Sequence, residues 1–111
     1  MNAKMSAAEK ASERIVIRSN HEIRCLNAAD VFYIEKENRH AVFHTIHGKW
    51  HCSETLSSLS KKLDNRFFRC HRSFIINIEK IERIVPIADR LYEISFYDYP
   101  GVFPIKQTVQ S

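Results

Sequence analysis

Five basic side chains, Lys61, Lys62, Arg66, Arg69 and Arg72, fall within twelve consecutive positions that hold one acid, Asp64. That local balance of +4 equals the formal net charge of all 111 residues, in which 17 Lys and Arg stand against 13 Asp and Glu. Charge concentrated in this way steers anions better than the same charge spread evenly, although a merely solvated basic face has the same composition. Arg72 lies in a short polar break, His71-Arg72-Ser73, between two apolar, strand-like runs. Loops carried on a rigid sheet project such side chains, and the planar guanidinium suits bidentate contact with guanine or phosphate. Asn38-Arg39-His40 forms a second break of this kind, and Lys106-Gln107 a third polar cluster just past the last apolar run.

Other chemistries fit less well. His44, His47, His51 and Cys52 are close in sequence. A hairpin with His44 facing His51, however, sends His44 and Cys52 to opposite faces and leaves His47 in the turn. A tetrahedral metal site needs its ligands convergent at about 2.0–2.3 Å, so surface histidines on strands are expected instead. Cys70, flanked by Arg69 and His71, would gain thiolate character if exposed, but its alternation with Phe68 favours a buried core thiol. Cys25, Cys52 and Cys70 form no CxxC pair and suit reduced thiols better than a disulfide framework. GxGxxG, P-loop and GxSxG patterns are absent, and no nucleophile, base and oxyanion-donor set stands out. Neither a cofactor nor enzymatic activity is expected.

The elements that must carry these clusters are short. With 44% hydrophobic and 27% charged residues, the chain has the composition and length of one globular domain. It has neither an apolar run near the ~20 residues of a membrane span nor a basic-then-apolar signal peptide, so a soluble cytoplasmic protein is expected. Residues 1–12 are small and polar and read as a linker or tail; the domain is expected over 13–111.

Arg14–Arg18 and Glu22–Leu26 read as a hairpin around Ser19-Asn20-His21, and Val31–Lys36 as an aromatic and β-branched strand. His40–Ile46 turns at His47-Gly48 into Lys49–Cys52, with Ile46 opposite Lys49 and Phe43 opposite Cys52. That register puts Phe43, Thr45, Trp50 and Cys52 on the core face. One helix is expected over 54–63, capped by Ser53, with Leu56, Leu59 and Leu63 as its apolar stripe. Ile81–Ile87 and Leu91–Tyr97 form a further hairpin around Asp89-Arg90, followed by a turn over 98–101. Pro104 then marks Val102–Ile105 as an edge strand. The sum is a mainly β chain of eight or more strands.

The string Phe67-Phe68-Arg69-Cys70-His71-Arg72-Ser73-Phe74-Ile75-Ile76-Asn77 resembles the signature of LytTR-type DNA-binding domains, above all the effector domains of accessory-gene-regulator response regulators. Asp30–Glu35, the His47-Gly48 hairpin and the leucine-striped helix follow in matching order, so the resemblance spans Glu13 to Gln107. It implies an elongated sandwich of small antiparallel β-sheets with one α-helix. It also implies a bacterial transcriptional regulator whose loops enter successive major grooves of double-stranded DNA. Position by position, it puts Asn38, Arg39 and His40 at DNA, Arg72 at a base edge and Ser73 near phosphate. The family's C-terminal Arg is not matched here; Lys106 or Gln107 takes its place. Two copies per operator are implied. So is a receiver domain in a longer parent chain, an excised effector domain being favoured over a stand-alone regulator. The alternatives are a β-rich module that docks peptides on its edges, or a DNA binder that responds to redox or metal through Cys70 or the histidines.

Overall fold

Short apolar runs punctuated by Asn, Asp, Ser and Gly become strands, and one leucine-striped run becomes a helix. The computed structural model describes residues 13–99 and the strand Phe103–Lys106. In chain order the strands are β1 (Arg14–Arg18), β2 (Ile23–Asn27), β3 (Val31–Glu37), β4 (His40–Thr45) and β5 (Gly48–Cys52). Helix α1 (Leu56–Lys62) follows, then β6 (Phe67–His71), β7 (Phe74–Asn77), β8 (Ile81–Ala88), β9 (Leu91–Phe96) and β10 (Phe103–Lys106). Every strand pairing among the described residues is antiparallel: a β1-β2 hairpin, a central sheet ordered β5-β4-β3-β7-β6, and a sheet ordered β10-β9-β8. β10, with Pro104, is an edge strand among the described residues, the position in a sheet to which proline is largely confined. The expected tail 1–12 and Gln107 lie outside the described residues.

The central sheet is covered on both faces. On one, Ile34, Ala41, Phe43, Cys52 and Ile75 pack under β1, β2 and the Leu56 and Leu59 side chains of α1. Leu59 is fully buried, which contributes about 1.5–3 kcal/mol. On the other, Phe32, Tyr33 and Ile76 pack against Ile94 and Phe96 of β9. A register shift between Val31 and Tyr33 explains why β3 opens with four buried residues in a row: it breaks the alternation, so Val31 serves the first core and both Phe32 and Tyr33 the second. The resulting body measures 45 × 37 × 27 Å along its principal axes.

One fully buried polar side chain ties the layers. Asn77 donates from Nδ2 to the Val31 carbonyl at 2.9 Å and to the Ala28 carbonyl at 3.3 Å, while its Oδ1 accepts the Glu79 amide at 3.0 Å. Asn27 acts in the same way at the β2–β3 connection, its Oδ1 accepting the Ala29 amide at 3.1 Å. Each Asn thus caps a short 3-10 turn, Ala28–Asp30 or Ile78–Lys80, that leads into the next strand.

Four sequence expectations shift. The helix runs over Leu56–Lys62 rather than 54–63, because Thr55 accepts the Ser58 amide at 3.1 Å while the Ser53 hydroxyl donates to the Arg18 carbonyl at 3.1 Å. The β4–β5 turn is Ile46-His47, with Thr45 opposite Gly48 and Phe43 opposite Trp50. Thr45 fixes it, its hydroxyl donating to the Gly48 carbonyl at 2.9 Å and accepting the His47 amide at 3.0 Å. The slip leaves alternation unchanged, so Phe43, Trp50 and Cys52 still face the core. His44 is buried, not a surface histidine, because the second face of the sheet is also covered. Phe68, the basis for expecting a buried Cys70, is itself exposed on edge strand β6, and Cys70 is half-buried.

Candidate nucleic-acid interface

β3 and β7 are antiparallel neighbours, with Glu35 opposite Phe74 and the Lys36 amide donating to the Ser73 carbonyl at 2.8 Å. The turn that leaves β3 and the turn that enters β7 therefore lie side by side at one end of the central sheet. The first holds Asn38 and Arg39 and leads into His40, all exposed; the second holds exposed Arg72 and half-buried Ser73. Asn38 takes φ 59°, a left-handed conformation that Asn tolerates better than most residues, so it shapes its turn as well as presenting a side chain.

The second turn is braced from beneath. Arg69 Nη2 donates to the Arg72 carbonyl at 2.7 Å, Nε to the His71 carbonyl at 3.4 Å, and Nη1 to Ser57 Oγ of α1 at 3.3 Å. His71 Nδ1 accepts the Ser73 amide at 3.0 Å, and its ring packs on Phe74 at 5.6 Å between centroids. The Arg69 and His71 side chains are thus spent on geometry, and Arg72 itself is exposed.

The basic stretch 61–72 contributes less than its composition suggests. Arg66 is buried, with Nε 3.1 Å from Asp64, Nη2 3.4 Å from Glu13 and Nη1 3.8 Å from Glu79. Lys62 pairs with Glu54 at 2.8 Å. In contrast, among the described residues no carboxylate pairs with Lys36, Arg39, Arg69 or Arg72, all at the end of the sheet that carries the two turns. Lys36 and the bracing role of Arg69 escaped the sequence reading. Lys36 looked like an ordinary strand end, and only the β3–β7 register brings it beside Ser73.

The third cluster stands apart in the fold. Lys106 closes β10, its backbone opposite Leu91 beside the Asp89-Arg90 turn, and so belongs to a different sheet from Arg39 and Arg72. The histidines near the β4–β5 hairpin each take a separate partner. His44 Nε2 lies 3.0 Å from Glu35, His47 Nε2 3.3 Å from Asp30 and His51 Nε2 3.5 Å from Glu37. His44 also stacks on Tyr33 at 4.1 Å, and its burial lowers its pKa despite the opposing pull of Glu35; it is a neutral donor to that carboxylate. Burial likewise pushes the Cys70 thiol up to about 11, the reverse of what a redox-reactive thiolate requires.

A stiff antiparallel scaffold that holds exposed guanidinium groups on adjacent turns, without carboxylate partners among the described residues, has the chemistry of a polyanion-binding protein. Comparison with known proteins agrees. A family model described as the LytTr DNA-binding domain matches residues 21–107, and the chain belongs to that family. The sensory transduction protein LytT of Bacillus subtilis (strain 168) is 29% identical over 96 residues, 86% of this chain and 39% of that protein. The transcriptional regulatory protein NatR of the same strain is 30% identical over 84 residues, 75% of this chain and 36% of its own length. The transcriptional regulatory protein YpdB of Escherichia coli (strain K12) is 28% identical over 80 residues, 71% of this chain and 33% of its own length. The chain therefore spans between 33% and 39% of these curated relatives. A solved LytTr DNA-binding domain from Bacillus cereus shares the fold, with a TM-score of 0.71 and 20% identity over 85% of this chain and 86% of that one. The domain is a DNA-binding module of the kind found in transcriptional regulators.

Proposed function

We propose that this domain recognises a specific duplex in transcription control by placing its β3–β4 and β6–β7 turns in one major groove and its β10 end in the next. Arg72 reads a base edge and Ser73 a neighbouring phosphate. Arg39 reads a second base, with Asn38 and His40 beside it, and Lys106 or Gln107 makes the contact in the following groove. Two copies occupy one operator. In the cell the domain is the cytoplasmic output module of a longer regulator with a receiver domain, as the greater length of the relatives suggests. The observation that carries this reading is the pair of neighbouring turns with exposed arginines that no carboxylate among the described residues neutralises. A net charge of only +4 suits binding through a few positioned contacts rather than a broad basic face.

Selection of bound duplexes from a random pool, followed by a footprint on the winners, tests it. The expected outcome is one enriched sequence, present as two spaced half-sites, that resists non-specific competitor. Enrichment of no sequence, with binding that competitor abolishes, would contradict sequence-specific recognition.

A further inference from the structure

We propose that the groove between the β3–β4 turn and the start of α1 seats a backbone phosphate of the bound duplex, with Lys36 as its principal charge contact; this rests on the two turns being the DNA interface. Strand alternation creates the site. Lys36 lies opposite Ala41, and Arg69 opposite Ile75, so both belong to the face of the central sheet that α1 covers. The acids flanking Lys36, Glu35 and Glu37, fall on the other face, where they are engaged with His44 and His51. One end of β3 thus sorts its charges, cations toward the helix and carboxylates away from it.

The groove has a volume of about 350 Å³, and Lys36, Arg39, His40, Thr55, Ser57 and Arg69 line it. None of its lining residues is an acid. The groove on the opposite flank of the same turn holds Glu37, the one beside Trp50 holds Glu22, and the one at the end of α1 holds Glu13 and Asp64. A half-buried guanidinium normally takes a carboxylate; that of Arg69 takes two carbonyls and a hydroxyl, which hold it still without neutralising it. The Thr55 and Ser57 oxygens accept from the Ser58 amide and from Arg69, so each hydroxyl hydrogen remains to be donated. Fixed positive charge, two O–H donors and a mobile ammonium make a receptor for an acceptor-rich monoanion, which a phosphodiester is. The groove adjoins the turn that carries Arg39, so a duplex strand whose bases meet Arg39 and Arg72 runs its sugar-phosphate chain past it.

The test compares the wild-type chain with Lys36→Gln and Lys36→Arg on the selected duplex and on an unrelated duplex across a salt series. Lys36 is exposed at a strand end, and both replacements keep a long stem, so circular dichroism melts should superimpose. Lys36→Gln is expected to reduce the slope of log K against log salt by about 0.9, the increment for one phosphate contact. It should weaken both duplexes by the same factor and leave base preference intact, while Lys36→Arg restores the slope. In ethylation interference, one or two phosphates that matter to the wild type should cease to matter to Lys36→Gln. If Lys36→Gln keeps the wild-type slope and interference pattern on a duplex that the wild type binds specifically, the groove holds no phosphate, while the role of the turns stands. A wild-type chain that prefers no duplex would overturn the DNA reading itself.

Discussion

At the scale of single residues, the same side-chain type does opposite work according to which face and which strand carries it. Arg66, Arg69 and Arg72 lie within seven positions, yet the first is buried among carboxylates, the second braces a turn and the third faces solvent. The histidines divide similarly: His44 is buried and neutral, while His47 and His51 are exposed. Because burial lowers the pKa of His44 in the fold, the unfolded chain, with its ordinary value of 6.5, takes up the proton first as pH falls. Stability from this group is therefore full above that value and declines as pH drops through it toward the depressed folded value. Two-dimensional NMR of the imidazoles is expected to show the His44 midpoint below the ordinary value of 6.5. Urea midpoints should fall between about pH 7 and about pH 5, and less steeply in His44→Gln. A His44 midpoint at or above 6.5 would contradict the assignment.

At the scale of elements, periodicity gave away most of the strands, while the joints between them depended on side-chain bonds that no pattern encodes. The Arg14–Arg18 hairpin, the Asp89-Arg90 turn and the Leu56/Leu59/Leu63 stripe follow from alternation, turn residues and helical spacing. The β4–β5 register did not, because Gly48 signals a turn, whereas the Thr45 hydroxyl closes the turn one step earlier. Burial of His44 escaped for a related reason: alternation tells which residues share a face, not whether a second layer covers it. The paired Asn caps were equally hidden, since Asn27 and Asn77 sit in unlike sequences. Asn77 matters most, and Asn77→Ala strips the Ala28 and Val31 carbonyls of a buried donor. A loss of about 1–3 kcal/mol in urea-unfolding free energy is expected. A change within about 0.5 kcal/mol, the range of ordinary surface substitutions, would show that the layers are held otherwise.

At the scale of the whole molecule, three antiparallel sheets and a helix fix where the polar turns lie. The central sheet is clamped by cores on both faces, and its β3–β7 register sets the turn of Arg39 beside the turn of Arg72. Of the interface expected from the sequence, the Asn38-Arg39-His40 and Arg72-Ser73 clusters come together, and the Lys106 end belongs to the other sheet. No spacing rule could have distinguished the two cases, since sheet order, not separation along the chain, decides which loops are neighbours.

The claim that these turns read bases is tested most directly by measuring wild-type and Arg72→Ala affinities for every single-base variant of the selected duplex. Arg72→Ala is expected to cost about 1–3 kcal/mol and to flatten preference at one base pair while the remaining pattern persists. An unchanged preference profile, or a loss spread evenly over all sequences, would contradict it.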